Sequence, residues 1–246
     1  MIKCHNLTKR FGQEIGFQSV NVEICAGDFL ALIGPSGAGK STLLRCLAAL
    51  DPADSGNLTI DDMVYNYPLS SASKVTPWPK LTAVFQQSNL WPHLTVRENI
   101  ALVLEHREHH KTTKHAAQQA NRYSELLGLE KFLERYPGEC SVGERQRGAL
   151  ARALVLNPKY ILLDEITSAL DVEYVSRVVE ILLSLKSDGV GIIAVTHSLG
   201  LARRCANKFC FLDAGAIIEQ GNIGGLAAPQ EVRLKNFVSA LELQSP

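Results

Sequence analysis

FLALIGPSGAGKSTLLRCLAAL, residues 29–50, joins a short apolar run, a glycine-rich turn and a tail with helical character. Five apolar residues bounded by glycine read as a buried strand, and the leucine-rich tail as the helix after it. The spacing satisfies Gly-x-x-x-x-Gly-Lys-Ser through Gly34, Gly39, Lys40 and Ser41. Glycines let the backbone curl until successive N–H groups point inward, which suits phosphate oxygens, and the following helix adds its positive end. Ser36, Gly37, Ala38 and Thr42 complete the loop. Lys40 is expected to reach the β- and γ-phosphates of a nucleotide, and Ser41 to hold Mg²⁺. A plain glycine turn is the competing reading; the strand–loop–helix context argues against it.

YILLDE, residues 160–165, supplies the second signal. A wholly apolar strand delivers Asp164 to the carboxyl end of a parallel sheet, beside such a loop. Asp164 is then a metal-holding carboxylate and Glu165 a group that polarises water. Acids at a strand end are common, so this reading draws its weight from the loop. Together the two motifs indicate a nucleoside triphosphatase without saying which kind.

Working outward, Thr82 to Phe85, Val190 to Val195 and Phe209 to Leu212 read as further buried strands. Val175, Val178, Val179, Leu182 and Leu185 keep helix spacing. Alternating strands and helices predict a largely parallel α/β sheet covered on both faces. Ile2 to Leu7, Gly16 to Ile24 and Asn57 to Ile60 look like short strands of an added antiparallel layer. Asn99 to Gly128 is polar and helix-prone. No repeat or linker separates independent units, so one composite domain is expected.

The 246 residues carry 25 Lys+Arg against 25 Asp+Glu, which excludes the bulk positive field of a non-specific nucleic-acid binder. No run approaches the roughly 20 apolar residues of a membrane span, and MIKCHNLTKR lacks the apolar stretch of a secretory signal. Cys4, Cys25, Cys46, Cys140, Cys205 and Cys210 form no CxxC pair, which fits reduced thiols and an intracellular, soluble chain. His106, His109, His110 and His115 share helix spacing, but without neighbouring acids or cysteines in a closed arrangement a solvated helix face is the better reading.

Further segments carry a family resemblance. VFQQSNLWPHLTVRENI (84–100), YPGECSVGERQRGALARAL (136–154), SALD (168–171) and AVTHS (194–198) occur in the order and spacing of the ATP-binding subunits of ABC transporters, which the chain resembles over about residues 2–221. The resemblance implies an α/β fold: a P-loop NTPase core with a mainly parallel sheet, an N-terminal antiparallel β-subdomain and an inserted α-helical subdomain at about 88–155 within a single domain, 1–246. It places Gln86 on Mg²⁺ and the attacking water, and His197 on the γ-phosphate. Phe11 takes the position that stacks on adenine, and Asp171 lies in the D-loop. Ser141, Gly143 and Glu144 belong to a signature loop that faces the ATP of an opposing subunit, so two ATPs are sandwiched head to tail in a dimer.

The signature departs from the family's usual LSGGQ: it reads Cys140, Ser141, Val142, Gly143, Glu144. Val142 restricts the backbone where glycine is usual. Glu144 sets a carboxylate near a triphosphate, a cost unless it turns away or pairs with Arg145 or Arg147. Weaker ATP-driven closure is the expectation. Ile166 replaces a common proline and is expected to be neutral.

The resemblance implies a motor that drives a separate integral-membrane permease from the cytoplasmic face of the inner membrane. STLLRC, NLWPHLTVRENI and PQEVRLKNFVSAL are similar to subunits of polar amino-acid importers, which work with a substrate-binding protein. Leu90, Trp91, Pro92 and His93 are then expected beside the groove for a permease helix. The alternatives are a soluble ABC-type ATPase acting on DNA or ribosomes, and an exporter or lipid-type subunit. The chain carries neither the long coiled coils nor the second copy of the domain expected of the soluble class, and no nucleic-acid partner is expected. The extra C-terminal regulatory domain that some importer subunits carry is not expected.

Overall fold

The computed structural model describes residues 1–69, 76–107 and 113–244. The core is a six-stranded sheet in the order β10-β9-β3-β8-β7-β6. Its strands are β3 (Phe29–Ile33), β6 (Leu81–Val84), β7 (Tyr160–Asp164), β8 (Gly191–Val195), β9 (Lys208–Asp213) and β10 (Ala216–Asn222). All pair in parallel except β10, which returns antiparallel along β9. A second sheet is antiparallel, in the order β2-β1-β4-β5, from β1 (Ile2–Phe11), β2 (Glu14–Ile24), β4 (Ser55–Ile60) and β5 (Met63–Tyr67).

Side chains alternate across a strand, so each central strand feeds two cores. Phe29, Ala31, Ile33, Ile161, Leu163, Ile192 and Ala194 face one way, into a core shared with the helices α2 (Val96–Arg107), α3 (Thr113–Leu127), α4 (Val142–Leu154), α5 (Val172–Ser187), α6 (Leu199–Cys205) and α7 (Val232–Gln244). Leu30, Leu32, Tyr160, Leu162, Ile193 and Val195 face the other way, against α1 (Lys40–Leu47) and the antiparallel sheet. Leu43, Leu44 and Leu47 of α1 are buried there. Each contributes about 2 kcal/mol of apolar burial, which fixes α1 between the two sheets.

The predicted strands are present with shifted ends: β1 runs to Phe11 and β2 begins at Glu14. Two strands carried no clear apolar signal. In β5 the 59% exposed Val64 breaks the alternation, and the edge strand β10 reads AIIEQGN with one side unpaired. The helices α2, α3 and α4 all lie between β6 and β7, which are neighbours in the sheet. The side chains of His106, His109, His110 and His115 lie outside the described residues.

Candidate active site

The turn Gly34–Gly39 links β3 to α1 in a conformation that its neighbours enforce. A Cβ on Gly34 would stand 2.0 Å from the Leu212 carbonyl oxygen, and one on Gly39 2.1 Å from that of Gly16. Both residues have positive φ, so glycine answers a steric and a conformational demand together. The Gly215 N–H donates to the Ala38 carbonyl at 3.2 Å, which pins the loop to the β9–β10 hairpin. The first amides of α1 have no partner within the helix and open toward the loop's concave side.

Lys40 is 5% exposed. Its Nζ donates to the carbonyls of Gly34 at 2.8 Å and Pro35 at 2.7 Å. Burial lowers its pKa, while Glu165 and Asp164 pull it upward. Asp164 lies on the α1-facing side of β7, with the same parity as Leu162 and Tyr160. It is buried and its Oδ1 has no hydrogen-bond partner. Burial raises its pKa; the Ser41 hydroxyl beside it and Lys40 act in the opposite sense. An orphaned carboxylate oxygen next to a hydroxyl is a hard-oxygen donor set, and it fits a magnesium ion.

Glu165 follows β7 at φ 50°, and its N–H donates to the Val195 carbonyl at 3.1 Å. That bond ties the end of β7 to the end of β8. His197, two residues beyond β8, lies with Nε2 2.8 Å from Glu165 Oε1. The Ser168 hydroxyl donates back to the Glu165 carbonyl at 2.9 Å. Gln86 is exposed two residues beyond β6, the strand beside β7. Phe11 is 54% exposed rather than a core residue. A Cβ on Gly16 would stand 3.1 Å from its ring and 3.4 Å from the Thr42 methyl, so the ring borders the start of α1.

The signature residues form a second cluster. Ser141 caps α4, its Oγ accepting from the Glu144 N–H at 3.2 Å, while Glu144 Oε2 accepts from the Ser141 N–H at 2.7 Å. The bond from the Ser141 amide holds the Glu144 carboxyl below its usual range. The Glu144 carboxylate turns back onto its own helix cap, and its ion-pair partner is neither Arg145 nor Arg147. Arg145 donates to the Pro137 and Cys140 carbonyls and Arg147 to those of Leu127 and Gly128, so Arg135 at 3.8 Å is the cation beside Glu144. Gly143 lies under the Ala169 carbonyl, which a Cβ would approach to 2.8 Å. Asp171 caps α5, with Oδ1 accepting from the Tyr174 N–H at 3.0 Å.

Sequence reasoning missed the residues that hold the segment after β6. Gln146 donates to the Phe85 carbonyl, and Arg152 to those of Ser88 and Asn89 with its guanidinium over the Trp91 ring. Burial lowers the Arg152 pKa to about 10. For Arg152 the signal was present, a charged residue between Ala151 and Ala153, whereas Gln146 stands among the charged residues Glu144, Arg145 and Arg147 and carried none.

A glycine loop opening a helix, a buried lysine at its start and a carboxylate oxygen without a partner beside it make an arrangement suited to a nucleoside triphosphate. Comparison with known proteins narrows that class. The family model described as "ABC transporter" matches residues 17–168. The arginine transport ATP-binding protein ArtM of Bacillus subtilis (strain 168) is 38% identical over 243 residues, 98% of this chain and 100% of that one. The glutamine transport ATP-binding protein GlnQ of Escherichia coli (strain K12) is 38% identical over 240 residues, 97% and 98% of the two chains. Among solved structures, the dimeric post-hydrolysis state of the ATP-binding cassette MJ0796 bound to ADP and Pi superposes with a TM-score of 0.80 at 32% identity, covering 91% of this chain and 99% of that one. The chain belongs to the ABC transporter family, as an ATP-binding subunit. It is an ATPase motor with the α/β fold of that cassette.

Proposed function

We propose that two copies of this chain bind Mg·ATP head to tail and close, and that closure drives a separate integral-membrane permease importing a polar amino acid. The observation that carries the reading is the division of the site. Among the described residues, no hydrogen bond joins Ser141, Gly143 or Glu144 to the loop Gly34–Thr42. The signature therefore opens a helix whose amides its own phosphate loop does not use, which suits a site completed by a second copy.

In this reading residues 1–246 are one ABC-type domain with its helical subdomain at about 88–155. The Gly34–Thr42 amides and Lys40 hold the phosphates. Phe11 stacks on adenine through a flat apolar face. Ser41, Asp164 and Gln86 would hold Mg²⁺, which supplies charge neutralisation on the phosphates when bound. Glu165 takes the proton of the attacking water, and His197 orients that carboxylate and contacts the γ-phosphate. Ser141, Gly143, Glu144 and Asp171 act toward the partner copy's nucleotide. Catalysis of this kind is positioning and electrostatic stabilisation.

The names of relatives support an amino acid as cargo. The relatives above are named for arginine and glutamine transport, and the L-cystine import ATP-binding protein TcyN of Bacillus subtilis (strain 168) is 39% identical over 235 residues. No helix among the described residues is long and apolar enough to cross a membrane, so a peripheral position on the cytoplasmic face of the inner membrane fits, with a substrate-binding protein on the other side. A groove of about 190 Å³ is lined by Leu50, Trp78, Phe85, Val103, Leu156 and Arg152, whose guanidinium also covers the Trp91 ring, and this apolar surface suits contact with a permease helix.

The test is affinity capture of tagged Glu165→Gln protein from gently solubilised native membranes with Mg·ATP, followed by mass spectrometry. A polytopic permease is the expected companion. Recovery of only soluble proteins, ribosomes or nucleic acid overturns the motor reading.

A further inference from the structure

Arg147 is buried on α4, one turn after Gly143. Its Nη1 donates to the carbonyls of Leu127 at 2.8 Å and Gly128 at 2.9 Å, where the negative end of α3 favours a cation. Its guanidinium carbon stands 3.6 Å from the centroid of the Tyr174 ring and 4.9 Å from that of Phe132. Such a stack is strong when the cation is shielded from water. Gly128 makes the space: with φ 61°, a Cβ there would meet the Tyr174 ring and hydroxyl at 3.1 Å and Arg147 Nη1 at 3.3 Å.

Tyr174 belongs to the first turn of α5, and its N–H donates to Asp171. Residues 166–171 are the short connection between Glu165 and that turn. One end of the connection carries Glu165 in a left-handed conformation, which a non-glycine residue holds only when its surroundings require it. The other end is gripped twice by one face of α4, because positions 143 and 147 are neighbours on a helix. Gly143 packs under Ala169, and Arg147 holds Tyr174.

We infer that Arg147 and Tyr174 are a positioning pair that locks the connection 166–171 to the signature helix and thereby sets Glu165 for attack on ATP. The inference rests on Glu165 being the group that activates water. It makes the signature helix a determinant of Glu165 geometry within the same chain, in addition to its action on the partner's nucleotide.

The test uses Tyr174→Leu, which removes the aromatic face, and Tyr174→Phe, which keeps it. Tyr174 is only half-buried, so both proteins are expected to fold. Tyr174→Leu should lower kcat for ATP hydrolysis about ten- to a hundredfold, the scale of a small misplacement of a reacting group, with KM for ATP within about twofold. Tyr174→Phe should keep the wild-type kcat. Hydrogen exchange of the 166–171 amides, read without nucleotide, should quicken in Tyr174→Leu alone. Unchanged exchange in Tyr174→Leu, or equal quickening in Tyr174→Phe, overturns the pair whether or not the isolated chain turns over. Glu165→Gln measured alongside separates the two ideas: wild-type hydrolysis there overturns the role of Glu165, not the contact.

Discussion

His197 Nε2 and Glu165 Oε1 lie 2.8 Å apart, joining the ends of β8 and β7. The sheet brings the two side chains together, because β7 and β8 pair in parallel and the residues follow their carboxyl ends. Glu165→Gln keeps the size and can still accept from His197, but cannot take a proton. We expect it to bind ATP and lower kcat by about two to four orders of magnitude, the range of general-base catalysis, in a single-turnover assay. Lys40→Ala, by contrast, should lose productive ATP binding, because it deletes the ammonium buried beneath the loop.

Phe11 stands at the surface, so its removal separates binding from folding. Phe11→Ala should weaken ATP binding by roughly tenfold, the lower part of the range for base–aromatic stacking. Its melting temperature should hold within a degree or two, as for most exposed substitutions. Equilibrium titration with a fluorescent ATP analogue and a thermal melt report the two quantities.

Glu144 closes a capping box on Ser141, and Val142 is 55% exposed at the first turn of α4. Gln can make the same cap without the charge, and glycine frees the backbone beside it. Val142→Gly with Glu144→Gln should raise steady-state ATPase activity, because the negative charge at the start of α4 is removed while the cap on Ser141 is kept. An unchanged rate would show that the altered signature does not limit closure.

Asp61 sits in the turn between β4 and β5 and binds β7 from outside. It accepts from Lys159 Nζ at 2.7 Å, from the Tyr160 hydroxyl at 2.8 Å and from the Met1 ammonium at 2.5 Å. Burial alone would raise its pKa, but the bonds from Lys159, the terminal ammonium and Tyr160 prevail and hold it far below the usual value of 3.8. As pH falls, the unfolded chain takes up this proton first. The stabilisation is thus complete above about pH 4 and drains away as pH drops toward the folded value. Asp61→Asn should cost about 1–2 kcal/mol at pH 7, and the gap to wild type in urea unfolding should narrow below pH 4.

Much of the site was legible because its chemistry is local in the chain. Gly34 to Thr42 is one turn, and Asp164 and Glu165 end one strand, so spacing alone announces them. Glu144 was not legible in the same way. Its neighbours in sequence, Arg145 and Arg147, are spent on the carbonyls of other segments, whereas Ser141, three residues back, is brought to it by the helix itself. The edge strand β10 escaped because neither of its faces is fully buried, so its sequence has no apolar face to alternate with a polar one.

By itself the sequence determined the phosphate loop, the carboxylate strand and the family, since each is a short pattern whose residue types and spacing have few other uses. Only the tertiary structure decided that Lys40, Asp164, Glu165 and His197 share one end of the sheet, that Phe11 is exposed, and that Arg147 reaches Tyr174. Those facts depend on strand order and on helices packed from distant parts of the chain. Local pattern cannot encode them, because burial and contact arise only when the two cores close around the sheet.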